Sequence, residues 1–176
     1  MKRYTVVDWA ILGLVAVVAG VVFTLTWNAY YAIKALGGPI VARALSYGLW
    51  LIGAPLAASI IRKPASAFLG ETLGALVETF LPNPGGFTNL VYGICQGIAS
   101  EVAYAIFRYR KWGVLQGMLA GAFAGPVAVA LDAILFQSLA TPPVMLLWIV
   151  ASVISGAIYG AIVSAVGRTV RGGSEK

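Results

Sequence analysis

Residues 65–81 read ASAFLGETLGALVETFL, an apolar run that carries two carboxylates, Glu71 and Glu78. The run lies between a basic pair at 62–63 and a proline-containing turn at 82–84, and it approaches the roughly 20 residues that a helix needs to cross a bilayer. An ionised side chain at mid-membrane costs about 2.5–3.5 kcal/mol on insertion scales, so such a residue usually has a function there. The run therefore predicts a transmembrane helix with functional acids.

The whole chain has the composition of a polytopic membrane protein. Of its 176 residues 60% are apolar and 10% are charged, and its mean hydropathy is +0.91, values unlike those of a soluble domain. The apolar runs are continuous and lack the period-two alternation of barrel strands. We therefore expect one integral-membrane domain, residues 1–176, folded as an all-α bundle of six transmembrane helices. The predicted spans are about 7–31, 41–61, 65–81, 89–109, 113–139 and 143–167.

Basic residues predict the orientation of these spans. Except for Lys34 and Arg43, every Lys and Arg lies before the first span, at 62–63, at 108–111 or after the last span. Those four places are on one side of a six-span protein, which the positive-inside rule makes cytoplasmic, so both termini are expected inside. The outer link at about 32–40 contains two glycines and a proline, and a mobile outer lid is expected there.

Several classes of function have little support. Histidine is absent and Cys95 is the single cysteine, which leaves no disulfide framework and removes the commonest metal ligand and general base. There is no P-loop and no nucleophile elbow, and six spans leave no room for a soluble catalytic domain. We expect no enzymatic activity, no cofactor and no metal. The net charge of +6 fits membrane topology and contact with anionic lipid better than nucleic-acid binding.

Small residues recur four positions apart within the spans. Such rows allow helix backbones to approach closely, either inside the bundle or against another membrane protein, and both interpretations stay open. The rows are Ala16 and Gly20, Gly70 and Gly74, Gly93 and Gly97, the series Gly117, Gly121 and Gly125, and Gly156 and Gly160.

Polar and aromatic residues concentrate in the outer half of the predicted bundle. Glu78 lies two turns further out than Glu71 on the same helix face, whereas Glu101 is deep and better suited to holding helices together or to sensing a partner protein. Carboxylates, amides and rings together are typical of a pocket for a small cationic heteroaromatic molecule, although rings also form interfacial belts and acids can be structural. The other candidates are Trp27, Asn28, Tyr47, Trp50, Asn83, Asn89, Tyr92, Gln96 and Asp132.

An ordered set of these residues resembles a known family over nearly the whole chain. The chain looks like the YkoE-type substrate-binding subunits, or S components, of energy-coupling factor (ECF) vitamin importers. The residues that carry the resemblance are Tyr47-Gly48, Trp50, Ile61-Arg62-Lys63-Pro64-Ala65, Glu71, Glu78, Asn83-Pro84, Gln96-Gly97, Glu101 and Asp132.

The resemblance implies a subunit of a prokaryotic plasma membrane that binds thiamine or its hydroxymethylpyrimidine precursor from outside. A transmembrane coupling protein and ABC-type ATPases on separate chains would supply the energy. Small residues on the first helix would face the coupling protein, and the candidates here are Ala16 and Gly20, with Gly13 or Ala19.

The chemistry of thiamine, an aminopyrimidine joined to a charged thiazolium, agrees with the polar set. We expect Glu78 and Asp132 to contact charged or amino groups, with Glu71 at the pocket floor. We expect amide hydrogen bonds from Asn28, Asn83, Asn89 and Gln96, and stacking from Trp27, Tyr47, Trp50 and Tyr92.

A small proton-coupled secondary transporter is the alternative, with Glu71, Glu78, Glu101 and Asp132 as a proton relay. It predicts uptake by this chain alone, driven by a pH gradient. The acids, however, cluster toward the outside, and no inverted repeat of spans 1–3 is evident in spans 4–6.

Overall fold

The computed structural model describes residues 3–174, and within that range every regular element is helical. The predicted all-α class is therefore confirmed. Lys2 and Lys176, which belong to the predicted cytoplasmic charge, lie outside the described residues. The helices are α1 Val6–Ser46, α2 Gly53–Ile61, α3 Ser66–Phe80, α4 Thr88–Ala105, α5 Val114–Leu135 and α6 Pro142–Ser174, and a 3-10 segment, Tyr47–Leu51, joins α1 to α2.

Polar contacts tie the start of α1 to the loop between α2 and α3. Thr5 and Asp8 form a capping box, in which each side chain bonds the backbone N–H of the other, satisfying donors that a helix start leaves free. Asp8 also pairs with Lys63 at 2.5 Å, and the Tyr4 hydroxyl donates to the Pro64 carbonyl at 2.9 Å. The basic 62–63 pair therefore lies at the same end of the bundle as the first turn of α1.

The outer link expected at about 32–40 is helical on both sides of a single break. α1 consists of two helices that meet at a kink at Gly38, whose φ of 77° and ψ of 177° are the only non-helical dihedrals within α1. Glycine adopts that positive φ without steric cost, and Pro39 then restarts the helix because its own fixed φ suits a first turn. The predicted second span is likewise interrupted, since the 3-10 segment precedes α2 and Pro55 lies in the first turn of α2.

Three described helical stretches are long and apolar enough to cross a membrane: Val6–Ile61, Val114–Leu135 and Pro142–Gly172. Helices α3 and α4 have 15 and 18 residues and carry three of the acids, so length and composition alone do not identify them as spans. The six-span count stays a prediction.

Glycine rows bring helix backbones into direct contact. A Cβ atom added to Gly121 would overlap the backbone of Gly156, and one added to Gly117 would overlap the Gly160 carbonyl and the Ser164 hydroxyl. Only a residue without a side chain fits there. The glycine rows of α5 and α6 therefore serve internal packing.

Two of the residues predicted to face the coupling protein, Ala16 and Gly20, are buried inside the bundle. Ala16 is 5% exposed, and Gly20 is buried with Val77 and the Gly74 carbonyl within 3 Å of where its Cβ would lie. Ala16 is therefore buried within the bundle and Gly20 packs against α3, so the small side chains that would suit a partner are used in internal packing. Gly13 is exposed, with open space around its Cβ position, and its docking role stays a prediction.

Candidate ligand-binding cavity

A cavity of about 450 Å³ lies at the end of the bundle opposite the Lys63 loop. The C-terminal parts of α1, α3 and α5, the 3-10 segment and the N-terminal part of α4 form its walls. Its volume is within the range of small-molecule sites, about 300–1,000 Å³. Nine of the predicted pocket residues line it: Trp27, Tyr47, Trp50, Glu71, Glu78, Asn89, Tyr92, Gln96 and Asp132.

Two predicted pocket residues lie elsewhere. Asn28 is exposed on α1, because one residue along a helix turns the side chain by about 100° away from Trp27. Asn83 organises the turn between α3 and α4: its Oδ1 accepts from the side chain of Asn89 at 2.8 Å, and its Nδ2 donates to the Glu78 carbonyl at 2.7 Å. The expectation that Asn28 and Asn83 face the cavity is therefore corrected, and Asn83 instead positions Asn89.

Aromatic rings of α1 and the 3-10 segment form one wall, with Glu78 at its edge. The Trp27 and Trp50 rings meet edge to face with centroids 5.2 Å apart, and Tyr47 packs on Trp50 at 5.8 Å. Trp27 donates its indole N–H to Oε1 of Glu78 at 2.9 Å, and Glu78 itself is 3% exposed. This wall offers flat ring surfaces next to a carboxylate.

Glu71 lies at the floor of the cavity and is fully buried. Its Oε2 accepts from the backbone N–H of Ala54 at 2.8 Å, so it satisfies a donor at the start of α2. Its Oε1 is buried without a protein partner among the described residues. The floor therefore contains one buried carboxylate oxygen whose hydrogen-bonding capacity no described residue satisfies.

Asp132 is enclosed by partners from three other elements. The hydroxyl of Tyr47 donates to its Oδ2 and that of Tyr92 to its Oδ1 at 2.8 Å. Arg43, from the part of α1 after Gly38, pairs with Oδ2 at 3.1 Å. Asp132 is therefore already neutralised within the protein.

Sequence reasoning missed Arg43 because it treated Lys and Arg as topology signals. Arg43 is 2% exposed and lines the cavity, and the insertion cost that singled out the acids applies equally to an arginine in an apolar run. Tyr30 also lines the cavity, and helical spacing could have identified it, since it lies three residues after Trp27 on the same face of α1. Lys34 lies above the Tyr30 ring, 5.8 Å from its centroid.

Glu101 is outside this cavity. Its two oxygens accept from the backbone N–H groups of Ala65 at 2.7 Å and Phe68 at 2.9 Å, at the start of α3. It therefore holds α4 to α3, the structural role that its depth favoured. Among residues 3–174 no group of three His, Cys, Asp or Glu side chains could hold a metal ion.

Comparisons with known proteins agree with this architecture. Residues 7–128 match the family described as "ABC-type cobalt transport system, permease component". The chain is 31% identical over 163 residues to YkoE of Bacillus subtilis (strain 168), a protein named as an HMP/thiamine permease, and the match covers 92% of this chain and 81% of that one.

A solved structure shows the same fold. The crystal structure of an S-component of an ECF transporter superposes with a TM-score of 0.85 and 29% identity, covering 98% of this chain and 86% of the other. These relatives are membrane transport proteins, which confirms the expectation of a transport protein instead of an enzyme. The chain belongs to the family of YkoE-type S components of ECF transporters.

Proposed function

We propose that this chain is the multi-pass binding subunit of an ECF importer for thiamine or hydroxymethylpyrimidine, with both termini cytoplasmic and the cavity open to the outside. A coupling protein and ABC-type ATPases on other chains would drive transport. The observation that carries this proposal is the 450 Å³ cavity in which Glu78 adjoins the rings of Trp27 and Trp50. The name of the B. subtilis relative supports the choice of ligand.

The cavity offers a separate contact for each part of such a ligand. A thiazolium cation is stabilised beside Glu78 and over ring faces, while the flat pyrimidine stacks on the aromatic wall. Asn89 and Gln96 are buried on one face of α4 and supply directional amide groups. The unpartnered Oε1 of Glu71 accepts from an amino group that reaches the floor.

Ligand titration of the purified protein, followed by Trp fluorescence, tests the proposal. We expect saturable signals with thiamine and hydroxymethylpyrimidine and none with Co²⁺, the ion named in the description of the matching family. A saturable Co²⁺ signal without a response to either organic ligand would overturn the proposal.

Reconstitution in vesicles tests the energy source. We expect thiamine uptake only when the coupling protein, the ATPases and ATP are present. Uptake by this chain alone under a pH gradient would instead identify a secondary transporter.

A further inference from the structure

We propose that Arg43 and Asp132 form a permanent ion pair inside the cavity wall, in which Arg43 is a positioning residue. The carboxylate that interacts with the charge of the ligand is then Glu78 and not Asp132. This inference rests on the proposed function for the identity of its ligands, and it replaces the expectation that Asp132 contacts a cation directly. It assigns Arg43 a role in setting ligand specificity.

Arg43 is held on several sides. Its guanidinium bonds Asp132 at 3.1 Å, the Tyr30 hydroxyl at 3.3 Å and Ser138 at 3.4 Å. The guanidinium carbon also lies 3.9 Å from the centroid of the Trp148 ring and 5.2 Å from that of Tyr47. A planar cation with several donors fits this enclosure, whereas lysine would satisfy fewer of the contacts.

Asp132 has little capacity left for a ligand. Its side chain is 15% exposed, and its oxygens already accept from Arg43, Tyr47 and Tyr92. A cationic ligand could bind it only by displacing one of these donors. The same bonds fix the rings of Tyr47 and Tyr92 as cavity walls, so the pair shapes the cavity without offering net charge.

Glu78, unlike Asp132, has no ion-pair partner among the described residues. It bonds the neutral indole of Trp27, and no described Lys or Arg pairs with it, since the ion pairs of the described residues are Arg43 with Asp132 and Lys63 with Asp8. Its charge therefore acts on whatever occupies the cavity.

The test compares a cationic with a neutral ligand. Dissociation constants of thiamine and hydroxymethylpyrimidine are measured for the wild type, Asp132→Asn, Arg43→Gln and the double variant. Asp132→Asn leaves Arg43 unpaired, so we expect thiamine to lose about tenfold more affinity than hydroxymethylpyrimidine. The double variant restores neutrality, and its ratio of the two affinities should return to within about threefold of the wild-type ratio.

A double variant whose ratio stays as low as that of Asp132→Asn would overturn the proposal, because it would show that the carboxylate itself binds the cation. Adding Glu78→Gln to the double variant should lower the affinity for thiamine at least about tenfold more than that for hydroxymethylpyrimidine, and an equal loss for the two ligands would also contradict the proposal. If Arg43→Gln does not fold, Arg43→Lys keeps the charge, and its affinity ratio should stay within about threefold of wild type.

Thermal unfolding without ligand separates this inference from the proposed function. Each single variant should lower the unfolding midpoint by about 10 °C, and the double variant by less than the two losses combined, because it buries no unpaired charge. Additive losses would contradict a permanent pair. If the wild type binds neither compound, the proposed function fails while this measurement still decides whether the ion pair exists.

Discussion

The indole N–H of Trp27 donates to Oε1 of Glu78 at 2.9 Å, joining residues 51 positions apart on α1 and α3. Because an acceptor that carries charge makes a stronger hydrogen bond than a neutral one, this contact holds the carboxylate against the aromatic wall. Substitutions of Glu78 and Trp27 therefore test most directly whether the protein contacts the charge and the ring of the ligand.

Substituting Glu78 by Gln removes the charge and keeps the shape. At an effective dielectric constant of about 20, a carboxylate about 5 Å from a cation contributes about 3 kcal/mol, so thiamine affinity should fall about 100-fold. Hydroxymethylpyrimidine is neutral and should lose no more than a few fold. Isothermal titration of both ligands measures this, and an equal loss for the two would show that Glu78 does not act through its charge.

Ligand-induced changes in fluorescence should come from the tryptophans of the cavity. Trp27 and Trp50 line it, whereas Trp9 packs at a tilt against Tyr4 and Trp112 stacks on Tyr104. Trp27→Phe or Trp50→Phe should remove most of the signal on thiamine addition, while the matched variants Trp9→Phe and Trp112→Phe should keep it. A signal lost in the matched pair instead would place the ligand at the other end of the bundle.

Loss of the Glu101 carboxylate should affect stability instead of binding. Glu101→Ala leaves the backbone N–H groups of Ala65 and Phe68 without their acceptor, at a cost of about 2–4 kcal/mol in the free energy of unfolding. Chemical denaturation measures the loss, and titration at low temperature should show thiamine affinity within about twofold of wild type. A binding defect in the folded protein would instead connect Glu101 to the cavity.

Close contact between α5 and α6 should make Gly121 intolerant of any side chain. Its Cβ would overlap the backbone of Gly156, so Gly121→Ala should destabilise the bundle by about 1–3 kcal/mol. Gly13 has open space around it, and Gly13→Ala should stabilise α1 by about 0.5–1 kcal/mol. Unfolding midpoints of the two variants are measured in detergent. Similar changes in the midpoint for Gly121→Ala and Gly13→Ala would mean that α5 and α6 are not in backbone contact.

Cysteine labelling checks the proposed six-span topology. In a Cys95→Ser background, Lys34→Cys lies at the cavity end and Arg110→Cys at the opposite end, and both positions are exposed. A membrane-impermeant maleimide should label position 34 in intact cells and position 110 only after permeabilisation. Labelling of both from outside would rule out the predicted orientation.

Local sequence patterns were sufficient to predict the fold class and many of the residues that line the cavity. Apolar run length depends only on neighbouring residues, and helical periodicity places Glu71 and Glu78, or Asn89 and Gln96, on shared faces before any tertiary contact is known. These residues do line one cavity. That they bind a ligand stays a prediction.

The tertiary structure decided the features that depend on partners far apart in the sequence. Arg43 meets Asp132 across 89 positions, and this pairing changes Asp132 from a free anion into part of a neutral wall. Gly20 became a packing residue because Val77 and Gly74 of α3 lie against it. A sequence shows that a buried charge or a small residue requires a packing or bonding partner. Only the three-dimensional arrangement of the helices determines which residue is that partner, because it brings distant side chains within bonding distance.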